Sequence, residues 1–141
     1  MSIENLDNLV KTGNMQIEEP SGPELDGLCQ SAIAQLGDSK NAGLNLESRF
    51  ALAYGASHSI ALAALRFRGY RCSSRQLVFQ CLRFTLDLPA EQCRIFVNAH
   101  RARNLAAYEG HLEINLQLVE SLIRVTESAV QMLDELIEYN S

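Results

Sequence analysis

The segment from Cys93 to Gly110, CRIFVNAHRARNLAAYEG, carries the side chains best suited to chemistry. Its first half has ordinary helical periodicity, with Cys93, Phe96 and Val97 sharing a face at i, i+3, i+4 spacing. One turn later the same face carries His100, then Arg103 and Asn104, then Ala107 and Tyr108, with His111 at its end. An apolar stripe thus turns polar without leaving its side of the helix. Polar groups buried without partners are costly, so the stripe either runs out into solvent or forms a site completed by partners, water or a ligand. A guanidinium can hold an anion by charge-assisted bonds while a carboxamide orients it, and an imidazole can carry a proton near neutral pH.

A second set of polar side chains lies on an earlier, far more apolar segment. Residues 46–68 read as one helix closed by Gly69, in which Ala51, Ala53, Gly55, Ala56, Ala61, Ala63 and Ala64 let neighbours approach closely. A helix that is small and apolar nearly all round belongs in the middle of a bundle. Tyr54 and His58 stand one turn apart on it, with Arg49 near its N-terminal end. His58 reads either as a core histidine bonded to a neighbour or as a group reaching the stripe on the later helix.

The remaining elements must position these two helices. Residues 1–13 suit a short helix with Ile3, Leu6 and Val10 on one side, ended by Gly13, and MQIEEPSGPE reads as a linker. Ser21 and Glu24 fit a capping box, and Leu25, Leu28, Cys29, Ala32 and Leu36 form an apolar face that stops at Gly37. A third helix is expected over 74–86, opened by a capping box from Ser73 to Gln76. Pro89 suits the first turn of the stripe helix, and Gly110 ends it. The last helix, 112–139, repeats apolar residues at a spacing near 3.5, which suits antiparallel packing or a dimer seam. No segment alternates with period two. The expectation is an all-α chain: an up-down helical bundle of four long helices with a short N-terminal helix, divided as 1–20 (helix and linker) and 21–141 (bundle domain).

With 141 residues and 47% hydrophobic content the chain is long enough for one real core. Its apolar runs are too short to span a bilayer, and MSIENLDNLVK lacks a signal peptide's basic start and apolar run, so a cytoplasmic protein is expected. Cys29, Cys72, Cys81 and Cys93 follow no ligand-like spacing and read as apolar fillers or free thiols. The net charge of −5 hides an asymmetry. Residues 66–103 hold eight arginines against Asp87 and Glu91, whereas residues 109–141 hold seven acids against Arg124 alone. A basic middle of this kind can bind an anion, a nucleic acid or the chain's own acids. Phosphate-binding, dinucleotide, zinc-protease and hydrolase motifs are absent, the three histidines form no metal constellation, and no cofactor is implied.

At Arg103-Asn104 the sequence resembles the HEPN superfamily, small α-helical bundles of prokaryotic toxin–antitoxin and defence systems. The family motif is an arginine, a polar residue (often asparagine), then a histidine after four to six intervening residues near the end of a bundle helix. The wider layout is similar over roughly residues 25–137: an alanine-rich helix with Tyr54, a turn at Gly69, a third helix with aromatic residues, a Leu88-Pro89 turn, then the motif helix. Active members cleave RNA without a metal, leaving a cyclic phosphate end; this chemistry needs a base for the 2′-hydroxyl and a cation for the developing charge. Here Arg103 and Asn104 match the first two positions, Tyr108 stands where the histidine begins to be expected, and His111 follows after seven residues. A phenol of pKa near 10 is a poor base at neutral pH.

The resemblance therefore implies a non-catalytic module binding RNA, a nucleotide or a protein through Arg103, Asn104 and Tyr108, with Arg101 in the surrounding basic band. Two alternatives stay open: a metal-independent endoribonuclease using Arg103 with His100, His111 or His58, and a purely structural helical dimerisation module. The family context implies a homodimer and a small nucleotidyltransferase as partner protein, with no membrane involved.

Overall fold

A computed structural model describes residues 2–110 and 114–140. The fold is all-α, with one short antiparallel bridge among the described residues. In order, the elements are α1 (Ser2–Lys11), β1 (Gln16–Ile17), α2 (Gly22–Ser39), α3 (Leu46–Phe67), β2 (Tyr70–Arg71), α4 (Arg75–Gln80), α5 (Leu82–Thr85), α6 (Ala90–Glu109) and α7 (Leu116–Tyr139). Among the described residues no helix is long and apolar enough to cross a membrane.

Local chemistry sets most of the helix ends. Asn45 and Asn115 cap α3 and α7, each side chain accepting from the backbone N–H three residues on, at 2.8 Å. Gly69 (φ 90°) and Gly110 (φ 77°) take the left-handed conformation that lets the chain leave α3 and α6. Pro89 sits just before α6, where its missing N–H costs nothing. Leu112, expected to open the last helix, and His111 both lie outside the described residues.

Several boundaries differ from the sequence reading. Ser21 accepts from the Glu24 N–H, but the Glu24 carboxylate turns to Arg66 and Arg71, so the capping box is half made. The helix continues through Gly37 to Ser39. The α4 cap is Ser74, one residue beyond the expected Ser73. The third helix breaks at Cys81, whose N–H closes α4 on the Leu77 carbonyl at 2.8 Å while its own carbonyl accepts from Phe84 and Thr85 to start α5. Arg68 ends α5 by donating Nε and Nη2 to the Thr85 carbonyl, at 3.1 and 2.9 Å. Asp87 then turns with φ 54°.

Helix α3 is the centre of the packing, touching α2, α4, α5, α6 and α7. Its small side chains Ala53, Ala56, Ala61, Ala63 and Ala64 are buried, which brings those helices close around Phe50, Ile60 and Leu65. Phe79 of α4 and Phe96 of α6 complete the core with Val119, Leu122 and Leu133 of α7. Each such large side chain contributes about 1.5–3 kcal/mol of burial free energy.

The segment expected as a linker is bound to this core. Gln16–Ile17 pairs with Tyr70–Arg71, and Leu6 and Met15 are buried. Arg66, only 1% exposed, donates to the carbonyls of Glu18 (2.8 Å), Glu19 (2.8 Å) and Tyr70 (3.1 Å) and pairs with Glu24 at 2.9 Å. Arg71 pairs with Glu18 at 2.6 Å and Glu24 at 2.7 Å. The Tyr70 hydroxyl donates to Asp7 at 2.6 Å; burial, with that bond, pushes its pKa up to about 12. The basic band is thus partly neutralised within the chain.

Candidate functional site

Four helices supply one polar pocket of about 410 Å³. Tyr54 and His58, at i and i+4, face it from α3, with Gly55 and Ser59 beside them. Arg103 comes from the end of α6, Arg75 opens α4, and Ser31 and Gln35 come from α2. Among the described residues no carboxylate lines the pocket. Its volume lies in the range of small-molecule sites.

Phe79 is the aromatic hub of this region. Its ring lies 5.8 Å from Tyr54, 5.9 Å from His58, 5.7 Å from His100 and 6.0 Å from Phe96, centroid to centroid. Both pocket arginines lean on Tyr54: the guanidinium carbon stands 5.3 Å from the ring centroid for Arg103 and 6.0 Å for Arg75. Such cation–π contacts hold a guanidinium in place without neutralising it. Neither arginine has a carboxylate within ion-pair distance among the described residues.

His100 supports the pocket from behind and is buried. The Tyr54 hydroxyl lies 2.8 Å from its Nδ1, and Asn104 Nδ2 lies 3.2 Å from its Nε2. With the carboxamide assigned this way, Nε2 accepts, so the ring proton sits on Nδ1 and is donated to the tyrosine oxygen. Both ring nitrogens are therefore engaged. Burial, then Arg103 and Arg75, lower its pKa and keep the ring neutral. His58 differs: it is half-buried, lines the pocket, and makes no hydrogen bond among the described residues. Burial, followed by Arg75, His100 and Arg103, lowers its pKa as well.

The residues singled out in the sequence divide into three groups. Arg103, Tyr54 and His58 line the pocket, while His100 and Asn104 form the bonded chain behind Tyr54. Three others stand apart. Tyr108 is 94% exposed, does not line the pocket and does not join the cluster expected around Arg103. Arg101 is exposed with Nη1 3.3 Å from Asn98 Oδ1. Arg49 donates Nε to the Ser39 carbonyl at 2.8 Å, tying the start of α3 to the end of α2. His111 is outside the described residues.

Arg75 and Gln35 were not singled out. Arg75 did carry a signal: it is the first residue of α4, where the helix dipole disfavours a cation. Gln35 carried none, since an amide on a half-exposed helix is commonplace. Its Oε1 is buried with no hydrogen-bond partner among the described residues, and the carboxamide lies against Gly55, whose missing side chain makes room for it. No group of three or more His, Cys, Asp or Glu side chains is placed to hold a metal among the described residues. No protein-family model, curated protein or solved structure matches the chain.

Proposed function

We propose that this chain is a HEPN-like helical binding module, with α2, α3, α6 and α7 as an up-down four-helix bundle, whose pocket takes the anionic part of RNA or of a nucleotide. The observation that carries this reading is the convergence of Arg75 and Arg103 on Tyr54 beside a pocket that no carboxylate lines among the described residues. Two solvent-facing guanidiniums on one pocket, with no ion-pair partner among the described residues, are a ready anion site. The resemblance to a toxin–antitoxin or defence protein of the cytoplasm fits a site of this kind. The test is binding of a short single-stranded RNA to the wild type, Arg103→Ala and Arg101→Ala at several salt concentrations. Wild-type affinity is expected to fall with salt, Arg103→Ala to lose about tenfold or more, and Arg101→Ala to change it less than about twofold. Equal loss from both substitutions assigns binding to a diffuse basic surface and overturns the pocket reading. Absence of binding at low salt leaves the structural module.

One observation favours endoribonuclease activity as a second reading: the neutral, unbonded His58 ring faces the same pocket as Arg103. His58 is better placed as a base than His100, whose two nitrogens are both engaged. Cleavage of RNA in a metal chelator, lost in His58→Ala, establishes that reading.

The same resemblance gives a homodimer. Leu105 and Tyr108 are exposed three residues apart on the last turns of α6, with exposed Leu116 at the start of α7. Light scattering that gives a monomer at micromolar concentration overturns pairing.

A further inference from the structure

We propose that the pocket takes a phosphate monoester, the dianionic end group of a nucleotide or RNA strand, and that His58 takes up a proton when it binds. The inference rests on the anion-pocket reading and narrows its ligand.

Charge is the first argument. Near neutral pH a phosphate monoester carries about −1.5 to −2 charge, whereas each internal phosphodiester of a strand carries one. The pocket offers two guanidiniums, from Arg75 and Arg103, and among the described residues no carboxylate to oppose them. Two fixed cations match a dianion better than a single charge. Shape is the second argument. The pocket is a local recess among α2, α3, α4 and α6, of a size suited to an end group or a single nucleotide. A terminal phosphate can enter such a recess without threading a strand through it.

His58 supplies the third cation. The charged and titratable groups around it are Arg75 on α4, Arg103 and His100 on α6, and Tyr54 on its own helix; α2 contributes only the uncharged Ser31 and Gln35. In the free protein burial and the two arginines hold the ring neutral. A dianion seated among those arginines reverses the local field, and the ring then gains a charge-assisted bond by taking a proton. Binding and protonation are thereby linked: the ligand raises His58's affinity for a proton, and a proton on His58 raises affinity for the ligand by the same factor. Tyr54 and Gln35 complete the lining with neutral polar groups.

The experiment uses the full chain and two RNA oligomers of one sequence, one with a 5′-phosphate and one with a 5′-hydroxyl. Affinity is measured by calorimetry at about pH 7.5, where the monoester has already shed its second proton. Repeating the titration in buffers of different ionisation enthalpy counts the protons taken up. The phosphorylated oligomer is expected to bind about tenfold tighter or more. Its binding should take up a proton in the wild type and none in His58→Asn or His58→Gln. Equal affinity for the two oligomers overturns the monoester assignment, and if Arg103→Ala still abolishes binding of both, the anion pocket stands without it. Uptake that persists in both His58 variants, or is absent from the wild type, overturns the role of His58. If neither oligomer binds, the anion pocket and this inference fall together.

Discussion

The Tyr54 hydroxyl lies 2.8 Å from Nδ1 of His100, joining α3 to α6 through a buried bond. The two rings also stack, 6.1 Å apart at 12°. Asn104 holds the far nitrogen of the same imidazole, so one chain of bonds fixes the ring that Arg103 leans on. The pocket wall is thereby built from residues that do not themselves need to touch a ligand.

Tyr54→Phe removes the hydroxyl and leaves His100 Nδ1 unpaired in a buried place. The expected cost is about 1–3 kcal/mol of stability, read as a lower denaturant midpoint. The ring remains, so Arg103 keeps its support and RNA affinity should stay within about twofold. Unchanged stability means that the Tyr54–His100 bond does not form in solution.

Arg66 anchors the N-terminal segment to the core through three backbone carbonyls and two glutamates. Arg66→Met leaves those carbonyls without their buried donor, while the Glu24 carboxylate keeps Arg71. The expected loss is about 1–3 kcal/mol. Hydrogen exchange should quicken at the Glu18 amide, which donates to the Gly69 carbonyl at 2.9 Å. A variant as stable as the wild type, with that amide still protected, contradicts this anchoring.

Stability should fall with acid in two windows, and the signs follow from the shifts. His58 and His100 are neutral in the fold with lowered pKa values. The unfolded chain therefore takes up their protons first, and stability declines as pH drops below about 6.5. The Arg71 bond, joined by Arg66, holds the Glu24 carboxyl below its usual range against the opposing effect of burial. Its contribution is present above the unfolded carboxylate value of about 4.3 and is lost as pH falls through the folded value. Denaturant melts across this range should show both windows, with the first reduced in His58→Asn and the second in Glu24→Gln. A single window unchanged by either substitution is the contrary result.

The fold was legible where local chemistry decides it. Gly69 and Gly110 mark helix ends by the same physics in the sequence and in the structure. The break at Cys81 was not legible, because Leu77, Val78, Cys81 and Leu82 keep helical spacing across it. Arg66 was counted with a basic band because charge alone carries no depth; its burial depends on the Glu18, Glu19 and Tyr70 carbonyls, which come from residues far along the chain or beyond its helix. The stripe of His100, Arg103 and Asn104 was visible through its period, and Tyr54 and His58 through their contrast with an apolar helix. Tyr108 follows the same period but leaves the cluster, its side chain 94% exposed. Arg75 and Gln35 enter only when α2 and α4 are folded against α3.

Gly55 offers the sharpest test of the pocket's geometry. It sits inside α3 without a left-handed backbone, so alanine fits its conformation, and replacing an interior glycine normally stabilises a helix by about 0.8–1 kcal/mol. A Cβ there would stand 2.7 Å from Gln35 Nε2 and 3.0 Å from its Oε1. That is too close, and the carboxamide, as the free end of a flexible side chain, must move. Gly55→Ala should therefore gain less stability than helix propensity gives, while altering the pocket and weakening RNA binding. Gln35→Ala removes the obstacle, so the gain from Gly55→Ala should be recovered in the double variant. The two substitutions should couple by about 0.5 kcal/mol or more in a double-mutant cycle. Strict additivity, with the full propensity gain in Gly55→Ala alone, places the Gln35 side chain away from Gly55 in solution and removes it from the pocket wall.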